Sequence, residues 1–199
     1  MKLLYSMKDW TALADEASIQ KTVEALKANG VEAMVVESGA AAKAKVLEML
    51  PEGAEVMTMS SETLKTIGLT EIDTVKAKLK TMEDAAEKKR RGAAPEWAIG
   101  SVHAVTEDGK MLIASNTGSQ LPAYVYGAAH VIWVVGTQKI VKDLDEGMKR
   151  VYEWCLPHEH EKMMKLYNVS SNVSKLLIFN KEIKPGRVTM VLVKEKVGV

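Results

Sequence analysis

A single cysteine in 199 residues excludes much at once. Cys155 has no partner for a disulfide, cannot join a four-cysteine zinc site, and cannot hold an iron–sulfur cluster alone. An excess of either charge is also missing. Twenty-seven basic side chains stand against 26 acidic ones, so the composition carries no footprint of nucleic acid or anionic membrane binding. Long apolar runs are missing too. The longest stretch, 121–135, contains Pro122, Gly127 and His130, and falls short of the roughly 20 residues that span a bilayer. The apolar start at 1–5 is too short for an export signal, and Lys8 and Asp9 follow closely. A cytoplasmic protein with no membrane partner is expected. Repeats and low-complexity tracts are absent from the sequence. What is present is an ordinary globular mix of 47% apolar and 27% charged residues, enough for one domain over 1–199.

The periodicity predicts alternating helices and strands. A helix over about 10–29 places Ile19, Val23 and Leu26 on one face, stops at Asn29-Gly30, and is expected to pack on the domain. Strand 31–36, helix 39–50 and strand 55–59 follow, with Pro51 and Gly53 as stops. That order is the signature of parallel α/β architecture. A long helix is expected over 70–91, with Thr70 and Asp73 as a variant capping box and Ile72, Val75, Leu79, Met82 and Ala86 as its stripe. Its end, Lys88 to Arg91, reads as a solvated helix end complementing the helix dipole. Asp108-Gly109 between apolar runs signals a hairpin. The run 131–135 reads as the central strand. A helix carrying Leu144, Met148, Val151 and Cys155 is expected to end at Pro157, with a shorter one over 159–167. Strands 176–179 and 188–193 flank a turn at 184–187, and either pair antiparallel or sit at a sheet edge.

Several groups can carry chemistry. The loop Ser115, Asn116, Thr117, Gly118, Ser119, Gln120 offers hydroxyls, amides and backbone N–H groups between a strand and a helix start. It is either an anion cradle or a polar connection whose Ser119 caps the helix. It matches neither a Walker A loop nor a dinucleotide fingerprint, and no cofactor is expected. Ser61 and Thr63 have the same logic after strand 55–59, where α/β sheets place ligands. Glu107 is the candidate catalytic carboxylate, while Asp108 and Gly109 are also explained by the turn. Lys139, after the central strand, can reach an anion. His103 reads as structural, and Cys155 with His158 and His160 lacks a fourth ligand, so no metal site is expected.

The stretches 101–109 (SVHAVTEDG), 115–120 (SNTGSQ) and 131–141 (VIWVVGTQKIV) resemble the LUD domain, the lactate-utilisation family. Segments 61–69 (SETLKTIGL) and 185–193 (PGRVTMVLV) resemble its earlier motif and its closing strand. The resemblance implies the fold of ribose-5-phosphate isomerases and CoA transferases, a mainly parallel Rossmann-like sheet flanked by helices. It implies a pocket at Ser61, Thr63, Glu107, Gly109 and 115–120. It also implies an accessory subunit in L-lactate oxidation to pyruvate, beside an iron–sulfur oxidoreductase that holds the redox centres. The other expectations are a stand-alone enzyme or sensor for a sugar phosphate or CoA ester, or a partner protein without a ligand. A small anionic ligand is common to the first two. A homodimer is the expected assembly, as the commonest closed oligomer. Relatives often carry glycines before the serine, an acidic-glycine pair at Ser115-Asn116 and an arginine at Gln120; here those changes reduce backbone freedom and remove a cation.

Overall fold

Side chains at helix starts fix the first half of the chain. The computed structural model describes residues 8–199, so the apolar start at 1–5 lies outside the described residues. Asp15 caps α1 (Glu16–Ala28) by accepting from Ser18 N at 2.8 Å, which satisfies one of the N–H groups that a helix start leaves open. The helix expected from about residue 10 therefore begins at Glu16. It ends at Asn29, and Gly30 takes φ +77°, the left-handed conformation that suits glycine after a helix. β1 (Glu32–Val36), α2 (Gly39–Met49) and β2 (Val56–Thr58) follow in the expected order. α3 (Glu62–Thr66) starts under Ser61.

The long helix expected over 70–91 is broken. A single 3-10 turn over Thr70–Ile72 precedes α4 (Val75–Thr81). Met82 is extended, and α5 (Ala85–Ala93) starts afresh under Asp84, which accepts from Ala86 N and Glu87 N. Asp73 does not complete a box with Thr70. One of its oxygens accepts from Lys76 N at 2.6 Å, and the other from Thr58 N and Oγ1 at 2.7 and 2.8 Å. Thr74 Oγ1 accepts from Val56 N at 2.9 Å. Both side chains tie the segment to β2, and Asp73 also holds the first turn of α4, so a new helix starts here instead of one running on from Thr70. Only Val75 of the expected stripe is buried, too little apolar area to hold one long helix on the sheet. Arg90 and Arg91 at the end of α5 pair with Glu87.

β3 (Trp97–Gly100), β6 (His130–Gly136) and β9 (Val188–Val193) complete a parallel sheet in the order β1-β9-β6-β3-β2. The apolar run read as the central strand is β6, in the middle. A second sheet holds β7 (Ile140–Val141), β4 (Ala104–Thr106), β5 (Met111–Ser115) and β8 (Lys175–Phe179), in the order β7-β4-β5-β8. β4 and β5 form the expected hairpin, with Gly109 at φ +79°. β8 and β9 do not pair with each other. β8 lies antiparallel on β5 at the second sheet's edge, whereas β9 runs parallel between β1 and β6, so turn 184–187 crosses between sheets.

Side-chain alternation sets the layers. Val131, Trp133 and Val135 of β6 meet Met111 and Ile113 of β5, with Ile19 and Leu26 of α1. Ile132 and Val134 face the other way, onto Ala42, Val46 and Leu64 of α2 and α3. Leu112 turns outward onto Leu144, Met148 and Val151. Helices therefore cover both outer faces of two stacked sheets. On the outer face of the second sheet, α6 (Leu144–Lys149) runs through a π-helical turn, Arg150–Cys155, straight into α7 (Leu156–Tyr167). The stop expected at Pro157 does not occur. Proline removes one helical donor and crowds the carbonyl four residues back, and the wide turn immediately before it relieves that register. Among the described residues no helix is long and apolar enough to cross a membrane.

Candidate functional site

The carboxyl ends of β2 and β3 and the turn after β6 open onto one cavity of about 450 Å³, roofed by the loop after β5 and by α7. That is where α/β sheets place ligands. Ser61, Thr63, Ser115, Asn116, Thr117, Ser119, Gln120 and Lys139 all line it. Gly118 shapes the loop from behind, at φ +86°, with its N–H donated to Ser115 Oγ at 2.9 Å.

Glu107, Asp108 and Gly109 do not join this group. They form the hairpin turn at the start of β5, whereas residues 115–120 leave its other end. Five strand residues separate the two by roughly 17 Å. Glu107 instead accepts from Ser18 Oγ at 3.0 Å and Lys21 Nζ at 2.8 Å on α1, and its carboxyl is held below the usual range chiefly by Lys21. Asp108 is bound to Lys110 and Thr106, which also lower its pKa. The expected pocket carboxylate is thus an ion-pair partner of the first helix.

The cavity's inner wall is cationic. Lys139 ends a 3-10 turn that directly follows β6, which carries its side chain inward; the residue is only 4% exposed. Its Nζ donates to Thr63 Oγ1 at 2.8 Å and lies 3.2 Å from Ser101 Oγ. Burial, then the neighbouring Arg150 charge, push its pKa down to about 7. Arg150 opens the π-helical turn just behind the wall and is fully buried. Its Nη1 donates to the His103 carbonyl at 2.6 Å and to Cys155 Sγ at 3.0 Å, while Nε and Nη2 have no partner. Burial lowers its pKa, yet a guanidinium remains charged. Among the described residues, no carboxylate lies within 4 Å of either cation.

The surroundings stay neutral. Burial, with Lys139 and Arg150, pushes the His103 pKa down to about 3. His103 Nδ1 accepts from Ala114 N at 3.1 Å, so its proton sits on Nε2. Burial raises the Cys155 thiol above its ordinary pKa. At the rim, charges are matched: Lys162 meets Glu62 and Glu159, and Lys76 meets Asp73. Cys155, His158 and His160 are not gathered into one ligand group. His158 Nδ1 bonds the Trp154 carbonyl at 2.7 Å, and no metal-ligand cluster exists among the described residues.

The sequence motifs and this geometry meet in one comparison. The LUD domain model matches residues 19–196. The chain belongs to the LUD domain family. It is also similar in structure to a DUF162 family protein from Deinococcus radiodurans, with a TM-score of 0.57 over 92% of this chain and 99% of that one. At 12% identity, that likeness concerns the fold. The search of curated proteins gives no match. The mainly parallel sheet flanked by helices is the LUD fold expected from the motifs. Ser101 and His103 in the wall, and Arg150 behind it, are the residues that sequence reading did not select for this LUD chain. Arg150 sits one residue before Val151 of the apolar stripe, and the stripe alone does not say that a cation would turn inward.

Proposed function

We propose that this LUD-domain protein binds a small organic anion, a carboxylate or a phosphate monoester, against Lys139. The observation that carries the reading is the pair of buried cations, Lys139 and Arg150, with no carboxylate beside them. An uncompensated buried charge is costly. A ligand charge about 4 Å away recovers on the order of 4 kcal/mol at an effective dielectric near 20. Hydroxyls from Ser61 and Ser115 line the same cavity and supply further donors. A space of about 450 Å³ suits a hydroxy acid or a sugar phosphate, and takes a CoA ester only by its acyl end.

The family's lactate-utilisation role makes lactate and pyruvate the first ligands to try, in a cytoplasmic accessory subunit whose redox centres belong to an iron–sulfur oxidoreductase. The second reading, a stand-alone enzyme or sensor for a phosphorylated or acylated anion, draws on the hydroxyl-rich wall. Thermal unfolding with lactate, pyruvate, ribose 5-phosphate and inorganic phosphate tests the site. A ligand at 100 times its Kd adds about 2.7 kcal/mol. The shift is expected to be larger at pH 6 than at pH 8, because Lys139 loses its charge around pH 7. It is expected to vanish in Lys139→Met. A shift that survives Lys139→Met, or no shift with any anion, overturns the reading.

A further inference from the structure

We propose that Ser101 and Lys139 form a nucleophile–base pair for acyl transfer, with Ser101 Oγ attacking the carbonyl carbon of an ester, thioester or amide in the cavity. Ser101 follows the last residue of β3, beside central β6, and lines the cavity. Its Oγ lies 3.2 Å from Lys139 Nζ, and its remaining contact, with the Val102 carbonyl, is longer at 3.4 Å. Nucleophile and base within hydrogen-bond reach, with the base oriented by a third group, is the arrangement that activates a hydroxyl.

Thr63 is that third group. Its hydroxyl donates to the Val197 carbonyl at 3.2 Å, and a carbonyl can only accept. Thr63 Oγ1 therefore accepts from Lys139, which fixes one amine hydrogen at 2.8 Å. In the neutral amine the lone pair is then free for the Ser101 proton. The backbone is held as well. Position 100 has no room for a Cβ, which would lie 1.7 Å from Tyr124 Oη, so buried Tyr124 packs directly under the turn that carries Ser101. Arg150 and Lys139 divide the work. Arg150 keeps a permanent charge behind the wall, where it does not line the cavity but lowers the proton affinity of Lys139. Lys139, with no carboxylate to hold its proton, can give and take it.

The step balances without another reagent than water. Ser101 Oγ bonds to the carbonyl carbon as its proton passes to Lys139 Nζ. The bond from that carbon to the leaving group breaks, and the leaving group departs with the proton from Nζ. Water then gives a proton to the neutral amine, attacks the acyl-Ser101 ester, and releases the acid as Oγ regains its proton. Only the choice of an acyl substrate carrying a carboxylate or phosphate rests on the anion site proposed above.

The test uses a fluorophosphonate reagent, which is neutral and needs no anion site. Ser101 Oγ displaces fluoride and leaves a stable phosphonate ester that peptide mass spectrometry locates. The expected result is one adduct on Ser101, forming faster as pH rises through about 7. Lys139→Met is expected to slow labelling about 100-fold or more, since a positioned base contributes 10²–10⁴-fold. Glu107→Gln is expected to label like the wild type. Wild-type protein unlabelled at Ser101, or labelled at a rate that ignores pH, overturns the pair whatever the variants do. Inorganic phosphate supplies the independent reading by thermal shift. A shift without labelling removes the pair alone, and labelling without a shift removes the anion site alone.

Discussion

Replacing Lys139 by methionine should stabilise the protein at neutral and acid pH and destabilise it in alkali. The side chain keeps its length and loses its charge. The folded-state pKa of Lys139 is about 7 against an ordinary 10.5, so the unfolded chain holds the proton more tightly. Stability therefore rises with pH between about 7 and 10.5, where the unfolded state binds more protons than the folded one. Below pH 7 both states are protonated, and the whole burial cost is present. At about 1.4 kcal/mol per pH unit, that cost reaches about 5 kcal/mol. Methionine removes it, but also removes the contacts to Thr63 Oγ1 and Ser101 Oγ. Those contacts are worth about 1 kcal/mol each.

The net expectation is that Lys139→Met is more stable than the wild type by about 3 kcal/mol at pH 6, and less stable by about 2 kcal/mol above pH 10.5. Urea unfolding of both proteins between about pH 6 and 11 measures it, provided the m-values agree. In a domain of this size about 3 kcal/mol is roughly 6–12 °C in Tm, which a thermal scan also resolves. Parallel stability curves for wild type and variant, separated by a constant gap, would refute the reasoning. They would mean that Lys139 keeps an ordinary pKa and is solvated.

Arg187 is a buried cation of another kind. Its Nη1 meets Glu182 at 2.6 Å, Nη2 meets the Ala123 and Tyr124 carbonyls, and Nε meets the Ala128 carbonyl. Arg187→Ala strands the Glu182 charge and should cost about 3–5 kcal/mol in urea unfolding at pH 7; a loss below 1 kcal/mol would contradict this. Glu107→Gln removes an ion pair to Lys21, whose side chain is 65% exposed, and should cost less than about 1 kcal/mol. It should leave the phosphate-induced thermal shift unchanged, and a lost shift would return Glu107 to the site.

Elements held by local chemistry were legible in the sequence. The Asn29-Gly30 stop, the Asp108-Gly109 hairpin and the apolar run of β6 each carry their signal within a few residues, and the LUD motifs span most of the chain. Elements decided at a distance were not. Asp73 reads as the partner of Thr70 in one long helix until it is seen to accept from Lys76 N at the start of α4 and from Thr58 beside it. Pro157 looks like a stop until a wider helical turn precedes it. β9 sits between β1 and β6, partners remote in sequence, so its pairing leaves no local trace. The site divides the same way. The Ser61 and Ser115–Gln120 loops were legible because they follow strands and carry hydroxyls. The burial of Lys139 and Arg150 was not, because a lysine after a strand looks the same whether it turns to solvent or inward.

Arg187 and the Lys139–Arg150 pair are buried cations in opposite surroundings. All three cations are buried in one chain, under one set of folding constraints. At Arg187 a carboxylate and three backbone carbonyls surround the guanidinium. At Arg150 two of the three nitrogens have no partner, and Lys139 is met by hydroxyls alone. A fold that can compensate a buried charge 37 residues along the chain has no structural reason to leave two uncompensated beside a cavity. Sites kept at a stability cost are where function is expected to lie, since selection for stability alone would replace them. On the function proposed above, the missing counter-charge is the ligand's, and on the proposed pair the amine without a carboxylate is the group that moves a proton. Lys139→Met, the variant that gains stability at pH 6, should also be the one that loses phosphate binding and Ser101 labelling.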